Sequence, residues 1–198
     1  ALAINAGCSC YFIGQIAVMH QNQLTDAQKV KIYGQYFEAL RAAHAGQALD
    51  LSGLHYMMPH VVESGNGKLL EKKVLAIHRL KTAAPAGYMA QVGATLGGGT
   101  EEQTAALGEY YETLGVAFQI VDDVLNLRGF EDDMKSKGED IAEGKITFPV
   151  AKAMSSLNAK ERKAMWDIIK TKPQDRKDIG KVIDMINACG ALEACDRQ

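Results

Sequence analysis

The sequence predicts an all-α fold, and three observations carry that prediction. Helical periodicity runs along almost the whole chain, no segment alternates convincingly as a strand, and two capping boxes open long apolar-periodic segments. Ala1 to His20 reads as an apolar helix that ends at polar Gln21-Asn22-Gln23. Thr25-Asp26-Ala27-Gln28 is the first capping box and starts a long helix to about Leu51. Ser52 to Asn66 contains Gly53, Pro59 and Gly65 and reads as a loop or broken segment. A further helix follows from about Lys68, and Gly97-Gly98-Gly99 ends it. The second capping box, Thr100-Glu101-Glu102-Gln103, opens a helix to about Leu127. Gly129 to Gly144 is a charged loop without clear period. Pro149 stands near the start of a short helix, Asn158 begins another, and Pro173 separates that one from a C-terminal helix. These elements predict a bundle built around central helices, with no repeat, heptad or low-complexity tract.

Composition bounds the rest. A chain of 198 residues with 47% hydrophobic residues can bury one substantial core, so a single domain over residues 1–198 is expected. The formal charge of −2 gives no electrostatic reason for a nucleic acid or an anionic membrane surface as partner. No apolar run approaches the roughly 20 residues of a membrane span, so no transmembrane segment is expected. There is no signal-peptide pattern, and a start at Ala1 without initiator Met reads as a fragment or a processed form. Cys8, Cys10, Cys189 and Cys195 lack zinc spacing, and free thiols fit a reducing cytoplasm.

The most informative stretch is Gly115 to Asn126, two adjacent carboxylates inside an apolar helical run. At 3.6 residues per turn, Gln119, Asp122, Asp123 and Asn126 share an arc of roughly 100°. Gly108, Glu112 and Gly115 extend the same stripe backwards, and Leu114, Phe118, Val121 and Leu125 lie around the rest of the cylinder. A helix apolar over most of its circumference is expected to be buried, and buried carboxylates need a cationic partner. A divalent metal with oxygen ligands, or lysines from another element, would supply one; an acidic stripe solvated at a bundle edge is the plainer alternative.

Three other places break the apolar pattern. Gln47 and Asp50 stand three apart on one helix face, where ordinary surface polarity is the competing explanation. Lys81-Thr82 precede Pro85, which opens the helix at the Lys81 carbonyl, so a phosphate could use this bend. A kinked helix with a snorkelling lysine would look the same in sequence. Finally, Lys137 and Lys145 flank a glycine-punctuated loop that can fold over a neighbouring site or simply be solvated.

In their order, GQALDL, KTA, FQIVDDVLN and KSKGEDIAEGKITFP resemble the C-terminal part of the trans-isoprenyl diphosphate synthases, the polyprenyl synthetase family, from Ala1 to about Ser156. The resemblance implies an isoprenoid synthase helical bundle with a deep central cavity. It implies head-to-tail joining of an allylic diphosphate to isopentenyl diphosphate, of geranylgeranyl or farnesyl type, by Mg²⁺-assisted ionisation. Asp122 becomes a direct Mg²⁺ ligand, and Asp123 and Asn126 hold metal-bound waters or neighbouring groups. Lys81, Lys137 and Lys145 are expected to bind the allylic diphosphate. Thr82, Gln47 and Gln119 would place hydrogen bonds along the cavity, and Asp50 would complete the polar lining opposite. A homodimer is the usual assembly of the family.

Two departures qualify the likeness. Asn126 stands where many members carry a third aspartate, although geranylgeranyl-type enzymes of eukaryotes often have Asn. No Asp-Asp pair occurs between Ala1 and Leu107, so the family's first aspartate-rich motif is absent from these residues and its N-terminal helices are expected to be missing. Impaired activity of the chain alone, and a product length that cannot be read, follow as expectations. A class I terpene cyclase, whose second metal motif Asp132, Ser136 and Asp140 would match in spacing, is one alternative. A non-catalytic helical subunit of a prenyl synthase is the other.

Overall fold

In a computed structural model, which describes residues 1–129 and 137–198, the chain is helical throughout, with no strand among the described residues. Helix α1 (Leu2–Met19) and α2 (Asp26–Ser52) are followed by a 3₁₀ turn (His55–Met57) and α3 (Met58–Ser64). Next come α4 (Gly67–His78), a π-helical turn (Arg79–Ala83), α5 (Ala84–Leu96) and α6 (Glu101–Arg128). The last part holds α7 (Glu139–Ala142), α8 (Phe148–Ser156), α9 (Ala159–Ile169), α10 (Arg176–Ala188) and α11 (Ala191–Asp196).

The capping chemistry explains the long helices. Thr25 and Thr100 each accept a hydrogen bond from the backbone N–H of the residue three places on, and Gln28 and Gln103 reach back to the cap N–H. Asn158 and Glu161 form a third reciprocal box at the start of α9. The segment 52–66 is more ordered than its glycines and proline imply, because Pro59 sits in the first turn of α3, where its missing N–H costs no hydrogen bond. Likewise Pro85 sits in the first turn of α5, and the expected opening at Lys81 takes the form of a π turn. The charged loop contains the single turn of α7.

Large apolar side chains gather where α3, α4, the C-terminal half of α6 and α8 to α11 meet. Phe148, Met58, Leu70, Met154, Met165 and Ile186 are wholly enclosed there. Helices α2, α5 and α6 meet the π turn differently, through small residues. A Cβ on Gly46 would lie 2.3 Å from the Lys81 amide nitrogen, and one on Gly115 would lie 2.6 Å from Ala83 Cα. The two glycines therefore let α2 and α6 close on the π turn from two sides.

Two expectations need correction. Helix α6 is not buried all round: Phe118 is 62% exposed, and Leu114, Val121 and Leu125 on the same side are exposed as well. No described element packs over that flank, which explains the difference from the helical-wheel expectation. Helix α1 has 18 residues, a mean hydropathy of 1.5 and no buried residue, so by length and composition alone it is long and apolar enough to cross a membrane. The sequence reading missed it because Asn5, Ser9 and Gln15 interrupt the apolar run. Helix α1 is tied to α2 by the Tyr36 hydroxyl, which donates to the Tyr11 carbonyl at 2.6 Å, and by an edge contact between the Tyr11 and His44 rings.

Candidate active site

A cavity of about 720 Å³ opens between the C-terminal end of α2, the α4–π-turn junction, α6 and the loop from Asp140 to Thr147. Its polar end carries five carboxylates (Asp50, Asp122, Asp123, Asp140 and Glu143) against three lysines (Lys81, Lys145 and Lys172). Leu54, Val74 and Ile77, all buried, form an apolar stretch of the same wall.

These charged groups come from separate places in the chain. Asp50, in the last turn of α2, accepts a hydrogen bond of 2.6 Å from Lys81 Nζ on the π turn. Both side chains are about one-third exposed, so the pair is water-accessible and orients the lysine more than it stabilises the fold. Across the cavity, Lys145 Nζ lies 3.1 Å from Asp140 Oδ1 and 2.6 Å from Glu143 Oε2. Burial works against the Lys145 charge, but the hydrogen bonds to Glu143 and Asp140 outweigh it and raise its pKa.

The adjacent acids on α6 divide their work. Asp122 lines the cavity and is half-buried. Asp123 is buried, and its Oδ2 accepts the Phe148 N–H at 2.8 Å. Thr147, the residue before α8, makes no side-chain cap, so Asp123 caps that helix from a different element. Burial pushes the Asp123 carboxyl up to about 7, the Phe148 hydrogen bond opposes this, and neighbouring Asp140, Asp122 and Asp50 push it further up. His78 Nε2 lies 3.4 Å from the same oxygen. Burial holds the imidazole pKa down to about 4, so His78 is neutral near pH 7, and its buried Nδ1 has no hydrogen-bond partner among the described residues.

Asn126 continues the division. Its side-chain oxygen accepts the Asp140 N–H at 3.3 Å, while its carbonyl accepts the Gly138 N–H at 2.8 Å. Asp123 and Asn126 thus fasten both ends of the 138–148 segment to α6, and Asp122 and Asp123 both line the cavity.

The sequence candidates sort accordingly. Lys81, Asp50, Gln119, Asp122, Asp123 and Lys145 are brought together around one cavity. Gln47 is exposed one turn before Asp50 and does not line the cavity. Thr82 is half-buried on the π turn, Lys137 is exposed where the chain enters α7, and Asn126 sits beneath the loop; none of the three lines the cavity. Of the cyclase-type spacing, Asp132 and Ser136 lie outside the described residues. Gly138 at φ +78° starts a fresh turn before Asp140, so no continuous helix carries that motif up to Asp140.

Sequence reasoning missed His55, His78, Lys172 and Gln174, all on the wall. His78 had a usable signal, one turn before Lys81; the other three arrive through tertiary folding alone.

A divalent cation fits this donor set. Four aspartates crowd one cavity and raise the Asp123 carboxyl partly by mutual repulsion, which a cation would relieve. Among the described residues, no group of three or more His, Cys, Asp or Glu side chains is arranged to hold an ion unaided. An ion here would take further oxygen ligands from a bound phosphate or water, the habit of Mg²⁺.

Comparison with known proteins is consistent with this geometry. A family model described as polyprenyl synthetase matches residues 1–186. A short chain isoprenyl diphosphate synthase of Methanothermobacter thermautotrophicus is 36% identical over 124 residues, 62% of this chain and 38% of that protein. The farnesyl diphosphate synthase of Geobacillus stearothermophilus is 38% identical over 122 residues, 61% of this chain and 36% of its own length. A solved geranylgeranyl pyrophosphate synthase of Corynebacterium glutamicum, complexed with isoprenyl diphosphate and magnesium, superimposes with a TM-score of 0.71 at 26% identity. That match covers 88% of this chain and 47% of the solved one, so the chain spans about half the length of the relatives it matches, or less.

Proposed function

Because this chain belongs to the polyprenyl synthetase family, we propose that its cavity takes part in prenyl transfer, the joining of an allylic diphosphate to isopentenyl diphosphate. One observation carries the reading: lysines from the π turn and from the 138–148 segment flank a carboxylate wall on α6 around a single cavity with an apolar side. Lys81 and Lys145 bind the diphosphate of the allylic substrate. Each is already held by carboxylates, Lys81 by Asp50 and Lys145 by Asp140 and Glu143, so little ordering remains when an anion arrives. Asp122, with Asp123 behind it, would hold Mg²⁺, and Gln119 offers an amide one turn before Asp123. Bound magnesium would supply charge neutralisation to the departing diphosphate. Leu54, Val74 and Ile77 keep water from the allylic carbon as its bond to oxygen lengthens, so the isopentenyl double bond is the available nucleophile.

The same reading extends to assembly and setting. Helix α1 exposes Leu2, Phe12, Ile13 and Ile16, which supports a homodimer formed through that face. All four cysteines are free thiols, which supports a reducing compartment such as the cytoplasm.

The test is a two-part assay. Calorimetric titration with inorganic diphosphate should give binding that requires Mg²⁺, and incubation with dimethylallyl and isopentenyl diphosphates should give an elongated prenyl diphosphate. Hydrocarbon with free diphosphate would replace prenyl transfer by cyclisation, while magnesium-dependent binding without turnover would match the impaired activity expected of the chain alone as well as a non-catalytic subunit. Absence of magnesium-dependent binding would overturn the assignment of the cavity itself.

A further inference from the structure

We propose that His55 is a positioning residue for Lys145: it holds the Gly144 carbonyl and thereby fixes where the next residue presents its ammonium group to a diphosphate. The proposal rests on the diphosphate reading above and adds a residue that acts through the loop backbone.

His55 opens the 3₁₀ turn between α2 and α3, 89 positions before Gly144, and lines the cavity. Its Nε2 lies 2.5 Å from the Gly144 carbonyl oxygen. A carbonyl can only accept, so Nε2 carries the proton and donates. The other side of the imidazole meets Trp166 on α9 edge-on, with ring centroids 5.0 Å apart and planes at 89°. Trp166 itself packs against the apolar core. A continuous path therefore runs from the core through Trp166 and His55 to the backbone of the loop.

At that point the loop is tightly enclosed. Gly144 adopts φ +73°, and a Cβ there would lie 3.0 Å from Lys172 Cγ and 3.2 Å from the Ile169 carbonyl oxygen. Gly144 is thus wedged between the end of α9 and His55, in a conformation other residues rarely adopt. Two residues earlier, the Ala142 carbonyl accepts a hydrogen bond from Gln174 Nε2 at 3.3 Å, and the Lys145 N–H donates to the Asp140 carbonyl at 2.8 Å. Asp140 and Glu143, the partners of Lys145, lie on the same segment and move with it. They orient the lysine within the loop, whereas His55 ties the loop to the protein at the residue next to Lys145, between the anchors at Asn126 and Asp123.

Two substitutions separate the hydrogen bond from the packing. His55→Phe keeps a ring against Trp166 and removes the donor; His55→Gln keeps a donor and removes the ring. Each is measured by calorimetry with magnesium and inorganic diphosphate, alone and combined with Lys145→Ala. Amide exchange of residues 144–147 is followed in parallel. With wild-type Lys145, His55→Phe should weaken binding about threefold to tenfold, the net worth of one hydrogen bond. His55→Gln should recover most of that loss, and His55→Phe should cost nothing further in the Lys145→Ala background. Exchange should quicken in the Phe variant and return towards wild type in the Gln variant. Equal losses in Phe and Gln, or losses that add to that of Lys145→Ala, would reduce His55 to a packing residue and overturn the proposal. Should the wild-type protein bind no diphosphate, the function falls while exchange still judges the clamp: unchanged exchange in His55→Phe overturns it.

Discussion

Where α8 to α11 meet α3 and α4, contact is made by side chains such as Phe148, Met154 and Met165, each with no exposed surface. Where α2 and α6 meet the π turn, contact is made by backbone, because Gly46 and Gly115 bring no side chain between the helices. The first region gains stability in proportion to apolar area removed from water, and it adjusts when a methylene is lost. The second gains little from burial but fixes the Lys81 backbone against α2, the helix that carries Asp50. Stability and site geometry are thus located in different parts of one bundle. Substitutions in one should leave the other's readout largely alone.

The largest effect is expected from Asp122→Ala. If the cavity serves prenyl transfer as proposed, the substitution should slow the ionisation step roughly a thousandfold, about 4 kcal/mol of transition-state stabilisation. The melting temperature should hold within a few degrees, since Asp122 is half-buried on a cavity wall. Normal turnover in this variant would remove Asp122 from the mechanism. Next in size, Met165→Ala should cost about 3 kcal/mol of stability through the cavity left in a closed core. Diphosphate affinity of the folded fraction should not change. A parallel loss of affinity, measured below the melting transition, would show that the core and the site are not separable.

Gly46→Ala tests the other region. The new methyl would meet Lys81 backbone atoms, which cannot rotate away as a side-chain tip can, so overpacking should cost about 1–3 kcal/mol. Unlike Met165→Ala, it should also weaken magnesium-dependent diphosphate binding, because relief of the clash displaces Lys81 from Asp50. A stability loss with unchanged binding would mean that the close approach serves only the fold.

The same division explains what the sequence disclosed. Helical period, the capping boxes at Thr25 and Thr100, and the prolines at the helix starts are local signals, so the order of helices could be read directly. Asp122, Asp123 and Gln119 fall on one face by helix geometry, and their place around the cavity followed. What could not be read is tertiary. Asp123 serves as a cap only because α8 begins beside it, and Asn126 serves as an anchor only because the 138–148 segment folds back. Gln47, Thr82 and Lys137 do not line the cavity: the first two because position along and around a helix decides which residues reach a wall, the third because it stands in the turn before α7. The exposure of Phe118 and Val121 illustrates the same limit: a helical wheel gives the apolar arc, and only packing shows which part of it is covered.

Lys81→Ala is the smallest effect and the sharpest test of the second region. Its side chain is about one-third exposed and bonded to Asp50, so removing it should cost the fold less than about 1 kcal/mol. Its expected contribution is to capture of the anion. KM for the allylic diphosphate should rise about tenfold, near 1.4 kcal/mol, with a smaller fall in turnover. Asp50→Asn separates two roles for the pair, because it leaves the cation but removes the partner that aims it. If Asp50 only neutralises Lys81, freeing the lysine should strengthen diphosphate binding. If Asp50 aims it, binding should weaken despite the gain in positive charge, and that sign is the one expected from a lysine held on a π turn between two close-packed helices. Kinetics of Lys81→Ala identical to wild type would instead return the residue to a solvated lysine at a helix bend.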